Sequence, residues 1–124
     1  MKIELELPVP ISENQYRRTV KGMGFPIISA AGRKYKENLK MMVRQRGINM
    51  IRGDVSVTVV YYPPDRRRRD IDNIFKCLFD AITEAKLIED DSCIRRLTAE
   101  KMDPVAPAGL VWLRIEPFGG TLPV

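Results

Sequence analysis

The sequence predicts an α+β fold: one domain over residues 1–124, with a mixed sheet of about four strands packed with two helices in the order β-α-β-α-β-β. Three observations lead there. Strand-like stretches, either alternating in polarity or rich in β-branched and aromatic residues, stand at the N-terminus and from Val55 to Tyr62. Two other segments space apolar residues three and four apart, as on one face of a helix. A chain of 124 residues with 44% hydrophobic content can bury one modest core and is short for two.

In order along the chain, Ile3, Leu5 and Leu7 alternate with Lys2, Glu4 and Glu6, the period of a half-buried strand, and Pro8 and Pro10 end it. From Ile11 to Ile28 no period is sustained, and the stretch reads as a basic loop with Arg18, Lys21 and a flexible Gly22-Met23-Gly24. Asn14, Tyr16 and Arg17 in that loop are candidates for contacts to a nucleic-acid strand. Ser29 suits the N-cap of a first helix whose Tyr35, Leu39, Met42 and Val43 share a face, and Gly47 suits its stop. The other face carries Arg33, Lys34, Lys36, Lys40 and Arg44, and is either solvated or turned toward DNA.

Pro63-Pro64 terminates the strand that begins at Val55, so the arginines that follow must lie in a loop at its end. A second helix then places Ile71, Ile74, Phe75, Leu78, Phe79 and Ile82 on a core face, with Asn73, Lys76, Asp80 and Glu84 opposite. Ile94 to about Met102 and Leu110 to Ile115 read as two strands joined in a hairpin across Asp103–Gly109, and the tail from Pro117 reads as loosely ordered.

Lysine and arginine number 21 against 16 acidic residues, a net charge of +5 that suits a polyanionic partner. Histidine is absent, which excludes a His general base and any His-ligated zinc site. Cys77 and Cys93 lack CxxC or zinc-finger spacing and are expected as reduced thiols in a cytoplasmic protein. No apolar run has membrane-spanning length and the first residues do not resemble a signal peptide, so no membrane partner is expected.

The densest chemistry lies between Asp65 and Asp91. Arg66, Arg67, Arg68 and Arg69 stand directly against Asp70 and Asp72, an amphipathic segment follows, and Glu89-Asp90-Asp91 closes it. Each feature has a plain structural reading: a solvated patch or localisation tag for the arginines, an N-cap for Asp70, a first-turn acid for Asp72, and an i,i+4 surface pair for Asp72 with Lys76. Their conjunction favours another. Carboxylates hold divalent cations and guanidinium groups hold phosphates, the two needs of a metal-dependent enzyme acting on a polyanion. Residues two apart point away from each other inside a helix, so Asp70 and Asp72 can act together only at a helix start, with Asp70 at the non-helical cap. The N-terminus of that helix also favours an anion such as phosphate.

PPDRRRRDIDN, then Lys76 and the Asp90-Asp91 pair, resembles the signature of the RusA family of Holliday-junction resolvases, and PVPISENQYRR resembles that family's opening. The resemblance implies a Mg²⁺-dependent endodeoxyribonuclease, with Mn²⁺ as the alternative ion. It would cut four-way junction DNA by paired incisions in recombination and repair, as a homodimer. It supports Asp70, Asp72, Lys76 and Asp91 as active-site residues. Asp70, Asp72 and Asp91 would hold one or two metals, with Asp90 ranked below them as a further ligand. Lys76 would bind the scissile phosphate or stabilise its developing charge, Asn73 would orient a water or a backbone phosphate, and the arginines, above all Arg69, would contact DNA. Two other classes remain open: a flap or single-strand nuclease with the same carboxylate chemistry, and a non-catalytic junction- or duplex-binding protein whose acids are caps and ion-pair partners.

Overall fold

The alternating N-terminal stretch forms strand β1 (Ile3–Leu7), burying its three apolar residues and exposing Glu4 and Glu6. A one-turn helix α1 (Glu13–Tyr16) follows, then a ribbon of β2 (Arg17–Arg18) and β3 (Ile27–Ile28), helix α2 (Ala30–Arg46) and strand β4 (Val55–Tyr62). A 3₁₀ turn (Ile71–Ile74) leads into helix α3 (Phe75–Glu84), and a second (Asp91–Cys93) leads into β5 (Ile94–Lys101), with β6 (Leu110–Pro117) last. This structure, a computed structural model, describes residues 1–119; the final part of the tail read as loosely ordered, 120–124, lies outside the described residues. Within the described part, the Phe118 amide donates to the Asp54 carbonyl at 3.0 Å, so the chain just past β6 is held.

The main sheet has four strands in the order β1-β6-β4-β5. β4 runs parallel to β5 and antiparallel to β6, which in turn is antiparallel to β1. The sheet is therefore mixed, as the α+β reading expects. Val55, Val57, Val59 and Tyr61 of β4 alternate into a core shared with Leu5 and Leu113 from the neighbouring strands and with Leu39, Val43, Leu78 and Ile82 from the two long helices. Fully burying side chains of this size is worth about 1.5–3 kcal/mol each, which makes this face the main source of stability.

Local signals set the helix ends. The Ser29 side chain accepts from the Gly32 amide at 3.1 Å, and Gly47 closes α2 in the left-handed region at φ 62°. The sequence reading missed α1 and the ribbon, because elements of four and two residues are too short to show a period.

The expected hairpin does not form. β5 and β6 lie on opposite sides of β4. The physical reason is the α3 crossover, which returns the chain alongside β4 in the parallel sense and gives β5 that position. β6 fills the gap between β4 and β1, so the intervening loop must pass over the end of β4. There the Met102 amide donates to the Tyr61 carbonyl at 2.8 Å and the Val105 amide to the Pro63 carbonyl at 2.8 Å. Gly109 completes the crossing with φ 68°, and a Cβ there would run into the Tyr62 carbonyl and the Pro63-Pro64 backbone. Gly109→Ala is expected to destabilise by ~1–3 kcal/mol from backbone strain alone, more once the collision is added. A urea midpoint unchanged from wild type would refute this crossing geometry.

Candidate functional site

The chain leaves β4 through Pro63 and Pro64 and enters the arginine run, and Asp65 organises that run. Its carboxylate accepts from the Arg67 amide at 2.9 Å and from Arg69 Nη1 at 2.6 Å. Arg69 Nη1 also reaches the Asp65 carbonyl at 3.2 Å and the Arg67 carbonyl at 3.3 Å, and Lys101 Nζ donates to the Arg69 carbonyl at 2.7 Å. The Arg69 bond, aided by the Arg67 amide, lowers the Asp65 carboxyl to about 2. Arg69 is thus the least exposed of the four arginines and acts as a staple within the loop, while Arg66, Arg67 and Arg68 are exposed.

Asp70 follows with extended backbone, φ −85° and ψ 139°, at the N-cap of the first 3₁₀ turn. Its backbone carbonyl accepts from the Asn73 amide at 3.2 Å, but its side chain makes no capping hydrogen bond. The capping explanation therefore does not account for this carboxylate. Asp90 is the opposite case. It caps the second 3₁₀ turn, accepts from the Ser92 amide at 3.0 Å and from the Ser92 hydroxyl, and these bonds lower its carboxyl. Asp91 and Asp72 are exposed first-turn residues of their respective 3₁₀ turns.

A cleft of about 340 Å³ opens between the proline-rich turn after β1 and the end of β4. Asn14, Tyr61, Arg68, Arg69, Asp70 and Asn73 line it. Burial raises the Tyr61 hydroxyl above its ordinary value, so it stays protonated there. With Gln15 also on its wall, the cleft brings one carboxylate together with two guanidinium groups and three side-chain amides, a setting for a phosphate next to an acid.

In the first turn of α3, Lys76 Nζ contacts Asp80 Oδ1 at 3.1 Å, and Tyr16 OH donates to Asp80 Oδ2 at 2.7 Å. Tyr16 is fully buried, its ring against Gly32 of α2. Burial first, then its bond to Asp80, raises the hydroxyl well above 10.0. Asp80 thereby ties α1 to α3 and holds the Lys76 ammonium.

Among the described residues, no three carboxylate, histidine or cysteine side chains are gathered closely enough to hold a metal ion. Asp70, Asp72 and Asp91 are hard oxygen donors, but they stand on two separate turns and do not form a ready cage.

The model of the family described as "Endodeoxyribonuclease RusA" matches residues 7–111. The chain belongs to the RusA family. It is 34% identical over 116 residues to proteins named Crossover junction endodeoxyribonuclease RusA from Shigella sonnei (strain Ss046) and Escherichia coli (strain K12), and to that of Enterobacteria phage 82. The match covers 93% of this chain and 94% of each relative.

Of the residues expected to serve a RusA-type site, the cleft gathers Asn14, Arg68, Arg69, Asp70 and Asn73. Arg66 and Arg67 line a separate groove with Lys101 and Asp103, and Arg17 is exposed on the ribbon. Tyr16 is a correction. It was expected at a DNA-facing surface, and the structure buries it, because its ring fills the space left by Gly32 and its hydroxyl finds Asp80. Lys76 differs as well. Its partner is Asp80 one turn on, since the 3₁₀ turn breaks the helical spacing that would have set Asp72 beneath it. The sequence reading missed Asp80 as an organising residue, although the i,i+4 spacing from Lys76 was a legible signal for it.

These contacts make a stability prediction. Asp80→Ala strands the buried Tyr16 hydroxyl and should cost ~1–3 kcal/mol. Asp80→Asn keeps an acceptor for Tyr16 and should recover most of that loss. The raised Tyr16 value adds a pH signature: its contribution is fully present below pH 10.0 and is lost as the pH rises above it, when the unfolded chain ionises first. Equal urea midpoints for the Ala and Asn variants would refute the clasp.

Proposed function

We propose that this chain is a structure-selective endodeoxyribonuclease that resolves four-way DNA junctions as a homodimer, and that it depends on Mg²⁺ or Mn²⁺. One observation carries the reading: Asp70, a carboxylate not engaged in capping, faces a cleft walled by Arg68, Arg69, Asn14 and Asn73. The names of the relatives, crossover junction endodeoxyribonucleases, supply the reaction and the branched substrate.

In this reading Arg66, Arg67 and Arg68 bind backbone phosphates on the exposed side of the loop, and Arg69, half committed to Asp65, sets the loop's shape and presents its remaining N–H groups to the cleft. Asn73 orients the phosphate or a water. Lys76, held by Asp80, supplies positive charge near the start of α3, where charge builds on the phosphate oxygens. A divalent cation, when bound, would polarise the phosphate and activate water. Because the described carboxylates are not gathered, the cation requirement rests on the donor chemistry of Asp70, Asp72 and Asp91. The dimer rests on symmetry: each chain has one candidate acidic set, and a two-fold junction needs two incisions. The chain would act beside the chromosome, in the cytoplasm; none of its described helices is long and apolar enough to cross a membrane.

The deciding experiment is a cleavage panel on four-way, flap and linear duplex DNA, with Mg²⁺ and with EDTA. Four-way DNA should be cut in paired fashion and only with the cation, and light scattering should give a dimer. Preference for flaps would favour the single-strand nuclease, and binding without cutting the non-catalytic class. Asp70→Asn should abolish cleavage while junction affinity in EDTA stays equal or tightens, since the lost charge opposes phosphate. Near-normal cutting by that variant would remove Asp70 from the chemistry.

The arginines are tested by salt. Each duplex phosphate contact contributes about 0.9 to the slope of log affinity against log salt. Replacing Arg66, Arg67 and Arg68 with Ala should flatten the slope by roughly 2 to 3, with the melting temperature nearly unchanged. Arg69→Ala should also lower the melting temperature, because it removes the staple. An unaltered slope in the triple variant would make the run solvated surface.

A further inference from the structure

The ribbon of β2 and β3 is not needed for the chemistry proposed above, and its tip is unusual. Phe25 is 62% exposed and Met23 45%, two large apolar side chains two residues apart in one turn. Residues 21–26 are all exposed, and nothing lies within 4 Å of where a Cβ would stand on Gly22 or Gly24, so the tip faces solvent. The root, by contrast, is clamped. Arg17 and Arg18 pair with Ile28 and Ile27, the Ser29 amide donates to the Tyr16 carbonyl at 2.7 Å, and Arg33 Nη1 donates to the Ile28 carbonyl at 2.7 Å.

The chain segment that carries this tip is basic, and of its basic residues only Lys36, at its far end, forms an ion pair among the described residues, with Glu84 at 2.8 Å. From Asn14 to Lys36 the chain carries Arg17, Arg18, Lys21, Arg33, Lys34 and Lys36 and no acidic residue. The ribbon also springs from the wall of the cleft, since Asn14 and Gln15 of α1 line it directly before β2 begins. An apolar, aromatic tip on a cationic stalk beside a phosphate-binding cleft matches one ligand chemistry: negatively charged backbone with accessible base faces. A continuous duplex hides its base faces in the stack, whereas a branch point breaks the stack and exposes them. Aromatic and apolar side chains placed against such steps gain stacking and hold them open.

We propose that the β2–β3 tip is a second DNA-binding element, with Phe25, backed by Met23, packing against unstacked bases at the branch point while Arg17, Arg18 and Lys21 hold the flanking phosphates. This rests on the junction-binding part of the proposed function, and it deepens that reading by assigning the recognition of branching to a segment outside the acidic site.

The test uses the full chain in EDTA with an uncut four-way junction carrying 2-aminopurine at the branch point. Wild type should raise the 2-aminopurine fluorescence as the base unstacks. Phe25→Ala should abolish that rise and weaken junction affinity about tenfold, with linear-duplex affinity changed less than about twofold. Phe25→Trp should restore both signals, and all three proteins should melt alike, since Phe25 is solvent-exposed. Equal junction affinity and equal fluorescence for wild type and Phe25→Ala would overturn the inference while leaving the nuclease reading intact. Failure of wild type to bind the junction at all would overturn both. Binding to vesicles of equimolar phosphatidylglycerol and phosphatidylcholine that needs Phe25, with no fluorescence change on the junction, would make the tip a membrane contact and likewise overturn it.

Discussion

The structure depends on β4 being hydrogen-bonded along both edges, parallel to β5 on one side and antiparallel to β6 on the other. β5 and β6 flank β4, so the loop that joins them must pass over its end. At the carboxyl end the Pro63-Pro64 pair offers no N–H to continue the ladder, and the loop before β6 supplies donors to the carbonyls of Tyr61 and Pro63 instead. The arginine loop is pinned between that crossing loop and the start of α3. The cleft thus opens beyond the carboxyl end of a strand in a β-α-β unit, where open sheets commonly leave room for ligands.

Much of this was legible in the residues. The bounds of β4 match the β-branched run from Val55 to Tyr62, and Ser29 and Gly47 frame α2, because strand composition and caps are properties of a few neighbouring residues. Asp70 at a helical start, next to the arginines, was legible for the same reason. What escaped were facts about partners distant in sequence. Nothing near Tyr16 reveals that its hydroxyl meets a carboxylate 64 residues away, or that Gly32 makes room for its ring. The false hairpin has the same origin. Two strands with a short connection satisfy every local rule for a hairpin, and only the prior claim of α3 and β4 on β5 decides otherwise.

The acidic and basic residues also divide by task in a way that composition hides. Asp65 and Asp90 are committed to neighbouring backbone groups, and Arg69 to Asp65, whereas Asp70 makes no capping bond. Residues of one type, a few positions apart, therefore serve construction in one case and remain available for a ligand in the other. The buried Cys77 thiol shows the passive end of that range: burial pushes it up to about 11, which keeps it protonated and unreactive inside the core.

β5 has a further consequence. It is the outermost strand next to β4, and most of its side chains are exposed, Leu97 among them. A bare strand of this kind is a template on which another chain can add, and sheets left so open tend to stack into fibres. Here Arg95, Arg96, Glu100 and Lys101 punctuate the strand, and Arg95 is further held by Asp54 at 2.8 Å. Pairing β5 with the β5 of a second copy, parallel and in register, would bring like charges face to face. The basic residues that raise the protein's charge thus also disfavour this parallel pairing of two β5 edges.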